Sequence, residues 1–173
     1  MNKNELRDYK KDVIRYMASN SSAAFTNKGK NHAAIVAGTI FQNVEEYLYI
    51  FTSNLNSDVS ELEEFFENFK DLVYTKKNIS IKILLENYDK NNLSKALDFI
   101  IKESKNNKNI QIKEMIHCEN AIKMGHLILA DDKMIRLETE ASNYEALCSF
   151  NYDGIDIFKT AFLNLFDKFS KDI

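Results

Sequence analysis

Proline is absent from the chain and glycine occurs only four times. With so few of the residues that punctuate structure, a long flexible linker has little support. Two cysteines, Cys118 and Cys148, are too few for a disulfide scaffold, so a reducing, cytoplasmic setting is expected. No apolar run approaches the ~20 residues needed to span a bilayer. The N-terminal segment also lacks the apolar core of a secretion signal, so no membrane association is expected. Neither sign of charge prevails: the formal net charge is −3. That balance excludes a global attraction to nucleic acid or acidic lipid, and any anion-binding surface has to be local.

What is present describes a globular α/β chain. At 173 residues it is long enough for one sizeable core and short for two. Leu6, Tyr9, Val13, Tyr16 and Met17 recur at helical spacing, which predicts an amphipathic helix over about residues 4–17. A polar loop leads into a second helix, 33–41, that is apolar nearly all round. Asn31 is its expected N-cap. A strand follows at 47–51. Ser60 and Glu63 form a capping-box pattern before a helix whose stripe is Leu62, Phe65, Phe66 and Phe69. A strand carrying Ile79, Ile81 and Ile83, a helix around Leu93 to Ile101, and a strand at Ile110 and Ile112 come next. A further strand is expected at 146–150, and Asp153 is the expected cap of a final helix. Strands alternating with helices imply crossovers and parallel pairing, and the closely spaced strands after Ile110 imply antiparallel additions. The expectation is a single α/β domain over 1–173, with a mixed, largely parallel sheet flanked by helices. Residues 1–26 form an N-terminal helix and loop, and 31–173 form the core.

The most informative stretch is a hairpin. Leu127, Ile128, Leu129 and Ala130 form a short apolar run, the pattern of a strand buried on both faces. Asp131, Asp132 and Lys133 supply a turn. The returning strand alternates Met134, Arg136 and Glu138 with Ile135 and Leu137, so one face collects polar groups. His126 enters the hairpin, and Arg136 and Glu138 leave it on a shared face. His126 needs a hydrogen-bond partner there, and Glu138 or His32 is expected to supply it at the border of a concave pocket. The plainer alternative is a core hairpin with a satisfied histidine and a surface Arg–Glu pair.

From about residue 31 onward, this order of elements resembles a phospholipase D-like domain. The family signature is His-x-Lys-x4-Asp, with the histidine as nucleophile and the lysine on phosphate oxygens. This sequence reads Met124-x-His126-x4-Asp131 in one register. In the other, His126 is the nucleophile, Ile128 replaces the lysine and Lys133 the aspartate. The motif is therefore degenerate, although His126 faces the same side in both registers. The resemblance implies the family fold, a bacterial single-copy domain, and a homodimer, because such members build the site from two subunits. It also implies a phosphodiester ligand, nucleic acid foremost, and chemistry that needs neither metal nor cofactor.

On this reading His126, His32 and Glu138 are the candidate catalytic residues. Arg136, Lys30, Gly29 and Asn31 are candidates for phosphate, the last three because they precede a helix N-terminus. Asp131, Ser53 and Asn54 are expected in support. Catalysis as a phosphodiesterase or nuclease and a recognition role without turnover both stay open. His117 and Cys118, with His126 and Cys148, match no established zinc spacing, and no metal site is assigned. Lys70, Lys76, Lys77, Lys82, Lys102, Lys105, Lys108 and Lys113 form a basic middle third that could track phosphates, with Tyr74 and Tyr88 for stacking. Interspersed acidic residues support the simpler reading of a solvated surface.

Overall fold

A computed structural model describes residues 3–55, 58–116 and 125–173. The helices are α1 (Lys3–Ala18), α2 (Lys30–Asn43), α3 (Glu63–Thr75), α4 (Lys95–Ser104) and α5 (Ile155–Lys168). The strands are β1 (Phe25–Asn27), β2 (Tyr47–Thr52), β3 (Ser80–Leu85), β4 (Ile110–Met115), β5 (Leu127–Ala130), β6 (Met134–Glu140), β7 (Glu145–Ser149) and β8 (Ser170–Asp172). They form one sheet in the order β1-β7-β6-β5-β2-β3-β4-β8.

The expected mixed α/β sheet flanked by helices is present. Parallel pairing is confined to β2, β3 and β4, where helical crossovers join the strands. The remaining ladders are antiparallel, so the sheet is less parallel than expected. Three of these ladders come from the strands after β4, which add to β2 as an antiparallel run, and two from β1 and β8. Both are three-residue edge strands, too short to show an alternating pattern.

The two sheet faces bury different residue sets. Alternate residues of β2, β3, β5 and β6, such as Leu48, Ile50, Ile83, Ile128 and Met134, pack with residues of α1 to α4. The intervening residues Tyr47, Tyr49, Phe51, Leu129 and Ile135 pack with Ile155, Phe162, Leu165 and Phe166 of α5. Helix α2 lies between α1 and α3 and also touches β1, β6 and β7. This position explains its all-round apolar sequence: Ala33 to Phe41 are all buried. Complete burial of a side chain such as Ile40 or Phe41 contributes about 2 kcal/mol each.

Three helix starts differ from expectation. Gly29, at φ 86°, caps α2 in place of Asn31, because the chain turns a corner there that side chains other than glycine rarely adopt. Ser60 does not cap α3. Its buried hydroxyl donates to the Leu55 carbonyl, and Leu62 occupies the cap position. Gly154, not Asp153, precedes α5. Among the described residues, Ser94, before α4, is the helix cap that uses its side chain, accepting from the Leu97 N–H at 3.1 Å.

The β5–β6 turn is anchored by Asp131. Its carboxylate accepts from the N–H groups of Glu45, Glu46 and Tyr47 at 2.7, 2.8 and 3.1 Å. These are donors at the entry of β2, and Asp131 is buried at 8% exposure. Asp131→Ala leaves them without that acceptor and should cost about 2–4 kcal/mol in urea unfolding. Asp131→Asn, which keeps one acceptor oxygen, should cost less.

Candidate active site

The antiparallel register places the site. Leu127 pairs with Leu137 and Ile128 with Arg136, so His126 lies across from Glu138. The Glu138 N–H donates to the His126 carbonyl at 2.8 Å. A side chain at Gly125 could not be accommodated, since an added Cβ would stand 2.2 Å from the Glu138 carbonyl oxygen. The glycine before the histidine therefore permits the two strands to close at this point.

Side chains complete the pairing. His126 Nδ1 lies 2.8 Å from Glu138 Oε1, and Arg136 Nη2 lies 3.1 Å from Glu138 Oε2. Both carboxylate oxygens are thus engaged. The Glu138 side chain is 5% exposed and that of Arg136 6%, while that of His126 is 30% exposed. Arg136 also donates from Nε to Asn27 Oδ1 and from Nη2 to the Tyr144 carbonyl, each at 3.2 Å. Asn27 in turn donates to the Tyr144 carbonyl at 2.9 Å and accepts from the Cys148 thiol at 3.2 Å. Cys148 is no nucleophile in this setting, because burial pushes its thiol up to about 12.

A cavity of about 80 Å³ opens beside this network. His126, Arg136, Glu138 and Tyr144 form its polar wall, with Thr52 and Ser60. Much of the rest is apolar, from Ala33, Ala37, Ile50, Leu55, Phe65 and neighbours. Since β5 runs antiparallel to β2, His126 stands at the carboxyl end of β2, where ligands of open α/β sheets bind. The N-terminus of α2 lies at the same end.

The expected residues divide between this cavity and its surroundings. His126, Glu138 and Arg136 come together as the hairpin pattern implies. His32 does not line the cavity. Its ring stacks on Tyr9 of α1 at 3.7 Å, and burial holds it below the ordinary histidine range, against a backbone hydrogen bond at Lys28. Lys30 pairs with Asp58 at 3.2 Å, and the Gly29 N–H donates to the Asn143 carbonyl at 2.8 Å. Asn31 borders a separate groove between α1, α2 and α3. The Ser53 carbonyl accepts from the Asn87 N–H at 2.8 Å, and Asp131 serves the turn described above. Neither Ser53 nor Asn54 lines the cavity. His117, Cys118 and Met124 lie outside the described residues. Among the described residues, no group of three or more potential ligands could hold a metal ion. Asn27 and Tyr144 are the members that the sequence did not disclose. Asn27 ends a three-residue strand and Tyr144 sits in a short connection, and no periodicity marks a residue at either place.

No protein-family model and no curated protein matches the chain. Solved structures do. NucT from Helicobacter pylori superposes with a TM-score of 0.60 at 12% identity, covering 87% of this chain and 99% of its own. Nuc from Salmonella typhimurium, a phospholipase D family member, gives 0.59 at 12%, with the same coverages. The fold is phospholipase D-like. TrmBL2, an archaeal chromatin protein described as showing a novel mode of DNA binding, gives 0.61 at 13% over 98% of this chain. This chain spans 63% of the TrmBL2 chain.

The electrostatics of Glu138 yield a pH dependence. Burial raises its pKa, but the His126 hydrogen bond and the Arg136 and His126 charges outweigh it, and the net shift is downward. A carboxyl depressed in the folded state contributes stability above its unfolded pKa of about 4.3, lost as pH falls through the folded value. Wild-type stability, followed by urea unfolding, should therefore fall below about pH 4.3, and Glu138→Gln should flatten that part of the profile.

Proposed function

We propose that this chain is a phospholipase D-like domain with a degenerate signature that acts on a phosphodiester, with nucleic acid as the ligand class. The observation that carries this reading is the 2.8 Å contact of His126 Nδ1 with Glu138, at the wall of a cavity at the carboxyl end of β2. A carboxylate on Nδ1 fixes the tautomer, so the Nε2 lone pair is the free one. A histidine held this way can attack phosphorus, or transfer a proton, without a metal ion. Glu138 orients it and stabilises the imidazolium that forms. A phospholipase D family member and a chromatin protein described as binding DNA, both similar to this chain in fold, support the ligand class. A homodimer is part of the proposal, because a lone His–Glu pair supplies half of a two-histidine site.

A second reading has its own support. The Arg136 charge is met by Glu138, and among the described residues no lysine lines the cavity beside His126, so little cationic stabilisation is left there for a developing phosphorane. That arrangement suits recognition without turnover.

Hydrolysis of bis(p-nitrophenyl) phosphate in the presence of chelator separates the two. Catalysis predicts turnover that falls about 100-fold or more in His126→Gln. Recognition predicts no turnover, but oligonucleotide binding that weakens in the same variant. An absence of both overturns the phosphodiester reading.

A further inference from the structure

One row of residues crosses the sheet at the level of the cavity. Phe51 pairs with Leu127 and Leu127 with Leu137, so the next step outward sets Thr52, His126 and Glu138 side by side. Thr52 is the last residue of β2, and its carbonyl accepts from the Glu86 N–H at 3.0 Å, which holds its backbone in the sheet. By strand alternation its side chain shares a face with that of Ile50, which is also the face of Ile128 and Arg136. Thr52, His126 and Glu138 all line the cavity. Directly opposed residues of antiparallel strands have Cβ atoms about 5 Å apart. Thr52 therefore flanks His126 on the side away from Glu138.

Two hydroxyls of the cavity wall are employed differently. That of Ser60 is buried and donates to the Leu55 carbonyl. That of Thr52 has no hydrogen-bond partner among the described residues. It is not sealed in the core either: the described hydroxyl that is buried without a partner belongs to Tyr9. Threonine at this strand end is therefore not required by the fold, since valine has the same shape and no polar group to satisfy. His126 completes the arrangement. Its Nδ1 is turned towards β6 by the 2.8 Å contact with Glu138, which leaves Nε2 on the edge of the ring away from that strand. A group that meets Nε2 has the open Thr52 hydroxyl beside it.

We propose that the Thr52 hydroxyl donates to a non-bridging oxygen of the nucleic-acid phosphate that His126 Nε2 engages. This deepens, and rests on, the phosphodiester reading above. The non-bridging oxygens of a phosphodiester carry its charge and accept strongly, so a neutral donor placed beside them gains a charge-assisted bond. A hydroxyl also rotates to follow the oxygen it serves. The contact moves the supporting role from Ser53 and Asn54, where the sequence suggested it, to the residue just before them, whose side chain faces the cavity.

The test is binding of a fluorescein-labelled single-stranded oligodeoxynucleotide to the full chain, by anisotropy across a salt series. Thr52→Val should weaken binding about tenfold, and Thr52→Ser, which keeps the donor, should stay within about twofold of wild type. A neutral donor displaces no counterion, so the slope of log K against log salt should be the same in all three proteins. Urea unfolding should find Thr52→Val at least as stable as wild type, because the hydroxyl it loses has no partner in the fold. Thr52→Val that binds as wild type does overturns the contact and spares the reading beneath it. Equal weakening by Thr52→Val and Thr52→Ser assigns the effect to cavity shape, and a loss of stability in Thr52→Val assigns the hydroxyl to the fold; either overturns the contact. Failure of the wild type to bind the oligonucleotide overturns the contact and, with it, nucleic acid as the ligand class.

Discussion

A carboxylate removed from water must be met by cations or hydrogen-bond donors, and Glu138 imposes that condition on the whole centre of the molecule. Its two oxygens divide between His126, just before β5, and Arg136, two residues earlier on β6. Arg136 then needs acceptors of its own, and finds them in Asn27 from β1 and the carbonyl of Tyr144 before β7. One buried charge therefore ties β1 and β6 to the chain just before β5 and just before β7. Loss of either partner would leave an uncompensated buried charge, which typically costs about 3–5 kcal/mol. The same economy sets the chemistry, because the arginine that completes Glu138 is largely consumed by structure. What remains for a ligand is the free edge of the His126 imidazole and the open hydroxyl of Thr52.

The covering layers sharpen this division between structure and function. Helix α2, apolar on every side, presents Ala33 and Ala37 to the cavity, small residues that leave room above the polar face of β6. On the opposite face, α5 meets an aromatic layer in which Tyr49 and Phe162 stack at 5.1 Å. Lys82 and Lys113 lie over Phe166 at 4.9 and 4.7 Å. Such cations are held by ring faces as much as by solvent, so they contribute to the α5 interface and not to a phosphate track. Tyr74 and Tyr88 are likewise occupied, Tyr74 edge-on to Phe99 at 5.5 Å and Tyr88 packed on the core.

The parts of this arrangement that were legible in the sequence are those governed by periodicity. Alternation over 134–138 placed Arg136 and Glu138 on one face, and the short turn 131–133 brought that face to His126. The all-round apolar run 33–41 announced a helix packed on several sides. What periodicity does not reach was missed. Asn27 belongs to a three-residue strand, and Tyr144 sits at φ 57° in a short connection. Both matter through tertiary contacts that no local pattern encodes. Capping was misjudged for a related reason: Ser60 has the residue type of a cap, but its hydroxyl is used by the preceding loop. The direction of the Arg–Glu face was only half legible. Alternation separates polar from apolar positions, but only the packing of α2 makes that polar face an interior one.

The central claim is that Glu138 holds His126 by Nδ1 and leaves Nε2 for the ligand. Long-range 15N–1H correlation spectra of 15N-histidine-labelled protein, titrated with a short single-stranded oligonucleotide, test it directly. The account predicts a His126 ring that carries a proton on Nδ1 in the free protein, and a ligand-dependent shift centred on Nε2. A ring protonated at Nε2, or one whose nitrogens do not respond at saturating ligand, would contradict it.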